Sequence, residues 1–191
     1  MQQEQYMKIT KMKSLIDALN NGEKFKYLFF WGHQEKSNQV TKSSLSQWYI
    51  SGFQENGNTF PTAEHYMMYY KAKLFDDAKA AEKVLLSPTA KEAKQIGREV
   101  IGFNQKQWNE KRFEIVVNAN FAKFSQNKAL KDFLLNTGDQ IIVEASPVDK
   151  IWGVGMSQDN PAISDPYSWK GLNLLGFALM EVRDRLLSQE Q

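Results

Sequence analysis

The sequence predicts an α+β fold: a helix-rich single compact domain with a small β-sheet. Three observations carry this. Most of the chain shows apolar residues at helical spacing, broken by caps and Gly or Pro stops. Only short runs are aromatic or β-branched enough to be strands. The length of 191 residues suffices for one well-buried core and falls short of two ordinary domains.

The elements follow in order. Ile9, Met12, Leu15, Ile16 and Leu19 recur at helical spacing, predicting an amphipathic helix over 8–20 that stops at Asn20-Asn21-Gly22. Residues 25–31 (FKYLFFW) read as a buried strand, and residues 45–49 as a second. Asn56-Gly57 signals a turn, after which a brief strand ends at Phe60. Pro61 blocks an earlier helix start and Thr62 is the N-cap candidate for a helix over 62–76. A short helix reaches Leu86. Thr89 and Glu92 form a capping-box pattern opening another that ends near Val100, with Gly102 at the exit. Residues 108–124 and 127–135 read as helices, 140–144 (QIIVE) as a strand, and 145–170 as a Gly/Pro/Asp-rich loop. A last helix over 171–188 carries Leu174, Leu175, Ala178, Leu179, Val182 and Leu186 on one face. No linker or fixed-period repeat divides the chain, so one domain is expected over 25–188, with an arm or short helix over 1–24.

Composition narrows the chemistry. A net charge of +2 gives no field of one sign, so non-specific nucleic-acid binding gains no support. Cysteine is absent, which rules out disulfides, thiolate nucleophiles and Cys-based zinc sites and fits a reducing, cytoplasmic setting. With two histidines, His33 and His65, and no ligand cluster at metal spacing, no metal is expected. No apolar run is long enough for a signal peptide or membrane span. Nucleophile elbow, P-loop, GxGxxG and HExxH patterns are all missing.

Three segments concentrate polar residues inside apolar surroundings. Glu64 and Lys71 lie two turns apart on nearly one helix face, about 10 Å along the axis. The pair reads either as a helix-start charge with a solvated lysine, or as a carboxylate and an amine sharing a cleft wall, fit for acid–base work or a Schiff base. In EASPVDKIWGVG (144–155), a strand delivers Glu144 to its end and a turn carries Asp149 and Trp152; a plain structural turn with a packed tryptophan gives the same pattern. In WKGLN (169–173), Asn173 can bond a ribose hydroxyl or phosphate, or simply cap a helix. Arg98 is suited to phosphate, and Trp108 to stacking or to the core. His65, about 100° around the helix from Glu64, reads as a packing residue. His33 sits in a loop where it can meet a polar ligand.

Nine blocks in order give these segments a common origin: FFWGH (29–33), SQWY (46–49), TAEHYMMYYKAKLFDD (62–77), AKQIGREV (93–100), GFNQKQW (102–108), AKFSQN (122–127), LLNTGD (134–139), VEASPVDKIWGVG (143–155) and WKGLNLLGFALMEVR (169–183). Together they resemble the NADAR (YbiA-like) family over about residues 27–187. The resemblance implies N-glycosidase chemistry without a cofactor. It implies either riboflavin-pathway ribosylamine phosphates as substrates or ADP-ribose on guanine in nucleic acid, and does not choose. It implies Lys71, Glu64, Glu144 and Asp149 as catalytic residues, and Trp108, Trp152, Arg98, Asn173 and Trp169 as substrate-binding ones, to which the loop position of His33 adds a further substrate-binding candidate. Two departures stand out: Tyr70 stands where smaller or polar residues are common and is expected to narrow the pocket without removing the chemistry, and the stretch between Ser37-Asn38 and Ser46 differs from the shorter branch, which bears on substrate choice. A non-catalytic ADP-ribose or NAD reader is the rival expectation, since it would use the same aromatic and arginine residues. A purely structural role fits poorly with the density of polar residues inside apolar blocks.

Overall fold

A computed structural model of the chain describes residues 8–34 and 39–189. Residues 1–7 of the arm and residues 35–38, which include Ser37-Asn38, lie outside the described residues. The described residues divide into two compact units, one within residues 8–31 and 137–181, the other within residues 32–34, 39–136 and 182–189.

In the first unit, helix α1 (Met12–Asn20) is followed by strand β1 (Tyr27–Phe30), which pairs in parallel with β4 (Ile141–Glu144). The register sets Tyr27 against Ile141 and Phe30 against Glu144. Ile141, Ile142 and Val143 are all buried, as befits a strand covered on both faces. The α1 helix starts at Met12 rather than residue 8, because Ser14 Oγ accepts the N–H groups of Thr10 and Lys11 and closes the end there. After β4 the chain turns through 145–165 and a short 3₁₀ segment, Pro166–Ser168, before helix α7 (Leu174–Ser188).

The second unit is helical around α2 (Ala63–Leu74), which packs against α3 (Ala78–Leu86), α4 (Ala90–Arg98) and α5 (Gln105–Ser125). Thr62 caps α2 by accepting the His65 N–H, and Thr89 caps α4 by accepting that of Glu92, as the sequence indicated. Asp77 caps α3 and also accepts the Ile101 N–H. Helix α6 (Lys128–Leu135) completes the helical set. A hairpin of β2 (Phe53–Glu55) and β3 (Asn58–Phe60) turns at Asn56-Gly57, both with positive φ, the geometry that favours this dipeptide. Phe53, Phe60, Ala63, Tyr66, Ala119 and Ala122 form its buried cluster.

Two further boundaries and one assignment differ from the sequence reading. The α5 helix begins at Gln105, three residues early, because Asn104 caps it by accepting the Gln107 N–H. The α7 helix begins at Leu174 because Asn173 takes a left-handed φ of 51°. The expected strand over 45–49 is not a strand. Residues Lys42–Leu45 form a 3₁₀ turn capped by Thr41, and 46–49 continue irregularly. Its carbonyls find other partners: those of Ser44 and Ser46 accept from Lys123 Nζ at 2.5 and 2.9 Å, and that of Gln47 accepts the Glu64 N–H. With the backbone satisfied this way, no neighbouring strand is needed. The small sheet of the sequence reading is two two-stranded sheets among the described residues.

Candidate functional site

In the second unit the α2 helix presents Glu64 in its first turn and Lys71 two turns later. Glu64 is buried, with its backbone N–H bonded to Gln47 O at 2.9 Å. Lys71 is half-buried. Its Nζ donates to the carbonyl of Gly97 at 2.7 Å, in the last turn of α4. The same ammonium lies 4.4 Å from the ring centre of Phe103 and 5.5 Å from that of Trp108. Burial pushes the Lys71 pKa below that of an ordinary lysine. The Arg98 guanidinium lowers it further, and the Glu64 carboxylate raises it. A lysine amine held this way supplies more neutral, nucleophilic form at neutral pH than a solvated one.

Gly97 permits the contact. A Cβ there would collide with the Met68 side chain of α2, so only glycine lets α4 approach closely enough for its carbonyl to meet Lys71. Beside Glu64, His65 Nε2 donates to the Ser87 carbonyl at 3.1 Å, which leaves Nδ1 to accept from Thr62 Oγ1 at 2.8 Å. Burial lowers its pKa, so it is a neutral packing residue.

The structure thus brings Glu64, Lys71, Arg98 and Trp108 together. His33 lies apart from the Lys71 contacts, its ring 5.6 Å from that of Trp48. Phe103, Gly97 and Trp48 were given no role from sequence. Phe103 and Trp48 sit inside the GFNQKQW and SQWY blocks, where an aromatic residue beside glycine or glutamine was the available signal.

In the first unit, Glu144 ends β4. Its N–H donates to Asn173 Oδ1 at 3.0 Å, while Asn173 Nδ2 donates to Ile142 O at 2.9 Å. Asn173 is fully buried, so its amide serves the β4 backbone and fixes the strand end that carries Glu144. Asp149 Oδ1 accepts the N–H groups of Ile151 and Trp152 at 2.8 and 2.7 Å, and Asp149 N–H bonds Ser146 Oγ. The turn closes on the strand through Val154 N–H to Glu144 O. Asp149 and Trp152 are both half-buried. Trp169 Nε1 donates to Ile163 O at 2.7 Å and its ring packs edge-on against Tyr27. Among the described residues no three His, Asp or Glu cluster as metal ligands, and no helix is long and apolar enough to cross a membrane.

The NADAR domain family matches residues 29–187, which span both sets of residues. The chain belongs to the NADAR family. Within it, the chain is 42% identical to the N-glycosidase R617 of Acanthamoeba polyphaga mimivirus, over 83% of this chain and 95% of that protein. It is 31% identical to the Escherichia coli N-glycosidase YbiA over 75% of this chain and 79% of YbiA. The solution NMR structure of YbiA superposes with a TM-score of 0.70, at 26% identity, covering 88% of this chain and 89% of YbiA. A Vibrio vulnificus riboflavin biosynthesis protein is 34% identical over 74% of this chain, which spans only 35% of that longer protein.

Proposed function

We propose that this NADAR chain is a hydrolase acting on N-glycosyl bonds, with Lys71 as its nucleophile. The bond cleaved joins a base or amine to a phosphorylated ribose or ADP-ribose. The observation that carries the reading is the Lys71 amine, desolvated, bonded to a backbone carbonyl, and set between two aromatic rings with Arg98 nearby. The relatives named as N-glycosidases support it.

The chemistry follows from a neutral amine. Lys71 attacks the anomeric carbon, the bond from that carbon to the leaving nitrogen breaks, and the nitrogen takes a proton from a carboxylic acid. Ring opening leaves a protonated imine between Lys71 and the sugar, the ring oxygen becoming a hydroxyl. Water adds to the imine carbon and expels the amine, so the sum is substrate plus water giving base and free sugar. The Phe103 and Trp108 faces favour the cationic imine. Glu64 or Asp149 moves the protons, and Glu144 holds a ribose hydroxyl or offsets positive charge. Trp108 or Trp152 stacks on the base, and Arg98 holds phosphate. Trp169 and His33 complete the binding set, and Asn173 acts by positioning Glu144. This reading takes residues 25–188 as the catalytic domain and residues 1–24 as an arm, working in the cytoplasm.

Two substrates offered side by side test it: a ribosylaminopyrimidine 5′-phosphate of the riboflavin pathway and a guanine-ADP-ribosylated oligonucleotide. Wild type is expected to release base or ADP-ribose from one of them, and Lys71→Ala from neither. Borohydride added during turnover is expected to fix the sugar to Lys71. Full activity in Lys71→Ala sinks the covalent step. Binding without turnover of either substrate replaces the enzyme with a non-catalytic ADP-ribose reader.

A further inference from the structure

Lys123 is fully buried in α5, and among the described residues it forms no ion pair. Its Nζ donates instead to two backbone carbonyls, Ser44 O at 2.5 Å and Ser46 O at 2.9 Å. The ring centres of Tyr49 and Phe124 lie 5.4 and 5.0 Å from the same atom. A buried amine with no carboxylate beside it costs stability, and an apolar side chain of similar length would fill the space without that cost. What the amine supplies is position. Ser44 lies in the 3₁₀ turn and Ser46 just past it, so one amine pins the exit of that turn.

Asn120 does the same for the next residue. It is fully buried, and its Nδ2 donates to Val116 O at 2.9 Å and to Gln47 Oε1 at 2.7 Å. The Val116 carbonyl only accepts, which fixes the orientation of the Asn120 amide and presents Gln47 with a donor. Asn120 and Lys123 are three residues apart and so share one face of α5. That face grips the 44–47 segment at three points.

Gln47 carries the grip to α2, because its backbone carbonyl accepts the Glu64 N–H at 2.9 Å. Glu64 sits in the first turn of α2, where N–H groups have no partner inside the helix. Thr62 Oγ1 satisfies the N–H of His65 and Gln47 O that of Glu64, so this helix end is fixed both by its own cap and by the 44–47 segment. Glu64 is 2% exposed. A buried N–H that loses its acceptor draws the first turn out of place and carries the carboxylate with it. Misplacing a reacting group by about 1 Å costs on the order of a hundredfold in rate.

We propose that Lys123 and Asn120 are positioning residues for Glu64, acting through the backbone carbonyl of Gln47. This network rests on the N-glycosidase reading, with Glu64 moving protons, and deepens it.

The test is a set of double-mutant cycles on the full chain, pairing Lys123→Met and Asn120→Leu with Glu64→Gln. The substrate is the ribosylaminopyrimidine 5′-phosphate or the ADP-ribosylated oligonucleotide, whichever wild type cleaves. Exchange of the Glu64 amide is followed by NMR in the same proteins. Each of the two α5 variants is expected to lower kcat tenfold or more with KM within twofold, and to lower it less than twofold in the Glu64→Gln background. The rise of kcat with pH is expected to move to lower pH, as in Glu64→Gln, since Glu64 raises the Lys71 pKa and Arg98 lowers it. Loss of the Lys123 charge by itself would move that rise the other way. The Glu64 amide is expected to exchange at least tenfold faster in both variants while that of Met68, in the middle of α2, is unchanged, which separates a loosened helix end from a loosened fold. Equal losses of kcat with and without the Glu64 carboxylate, or an unchanged Glu64 exchange rate, overturn the network. Absence of turnover by wild type, with the exchange rates as expected, removes the glycosidase reading and leaves the positioning of Glu64 standing.

Discussion

Lys71 Nζ and the carbonyl of Gly97 meet at 2.7 Å, so the last turn of one helix holds the amine of another. This contact fixes where the amine sits, while Arg98 and Glu64 act on its charge in opposite senses. Arg98 favours the neutral amine, and Glu64 favours the ammonium.

The pH dependence of activity should follow those two signs. Rate is expected to rise with pH as Lys71 loses its proton. Arg98→Ala should move that rise to higher pH, and Glu64→Gln should move it to lower pH. Profiles of kcat against pH for the three proteins check this. Shifts of the same sign in both variants would show that a different group is titrating.

Lys71→Ala is expected to lower kcat by at least ~100-fold, the usual scale for losing a group that acts in the transition state. Steady-state rates, with far-ultraviolet circular dichroism to show the fold intact, check it.

Gly97→Ala places a methyl group in the Met68 side chain. Overpacking of this kind costs about 1–3 kcal/mol, against a gain of up to about 1 kcal/mol from helix propensity. A lower thermal midpoint is expected, together with weaker activity as α4 backs away from Lys71. The double variant Gly97→Ala with Met68→Ala should recover part of the activity.

Lys123 gives stability its own pH signature. Burial pushes its pKa down to about 7, whereas the unfolded chain holds it near 10.5. Between those values the unfolded state binds more protons, so stability rises with pH across that window, and the penalty is full below pH 7. Lys71 contributes in the same sense. Lys123→Met should flatten the slope by up to roughly 1 kcal/mol per pH unit. Denaturant midpoints at pH 7 and pH 9 in both proteins measure the difference, and an unchanged slope would place the titration elsewhere.

Asn173→Ala removes two buried hydrogen bonds at a left-handed residue. About 3 kcal/mol of destabilisation is expected. Asn173→Asp keeps the acceptor for Glu144 N–H but sets a carboxylate against Ile142 O, so it should also destabilise. Thermal unfolding of both variants decides the point.

Much of the helical frame was legible because caps and stops are local. Thr62 and Thr89 act through N–H groups three residues away, and Asn56-Gly57 turns its hairpin by backbone preference alone. The misread stretch at 45–49 failed for the opposite reason. Its partners, Lys123 and Glu64, are distant in sequence, so nothing local tells that its carbonyls are already taken. The site divides along the same line. Lys71 and Glu64 share one helix and could be paired from spacing. The Gly97 carbonyl, the Phe103 ring and the Trp48 face depend on how helices pack, which spacing does not encode. Asn173 was legible as a polar residue at a helix start, but its buried partners on β4 were not.

The parallel pairing of β1 with β4 also has a consequence for the order of events on the ribosome. Tyr27 meets Ile141 only after more than a hundred intervening residues have been made, residues that include α2 to α6. The nascent chain therefore exports an unpaired, aromatic β1 well before its partner exists. Closing so long a loop costs little more entropy than closing a moderate one if the intervening segment has already folded and brought its ends together. Maturation should accordingly begin with the middle of the gene product, and β1 can pair only once β4 has been made.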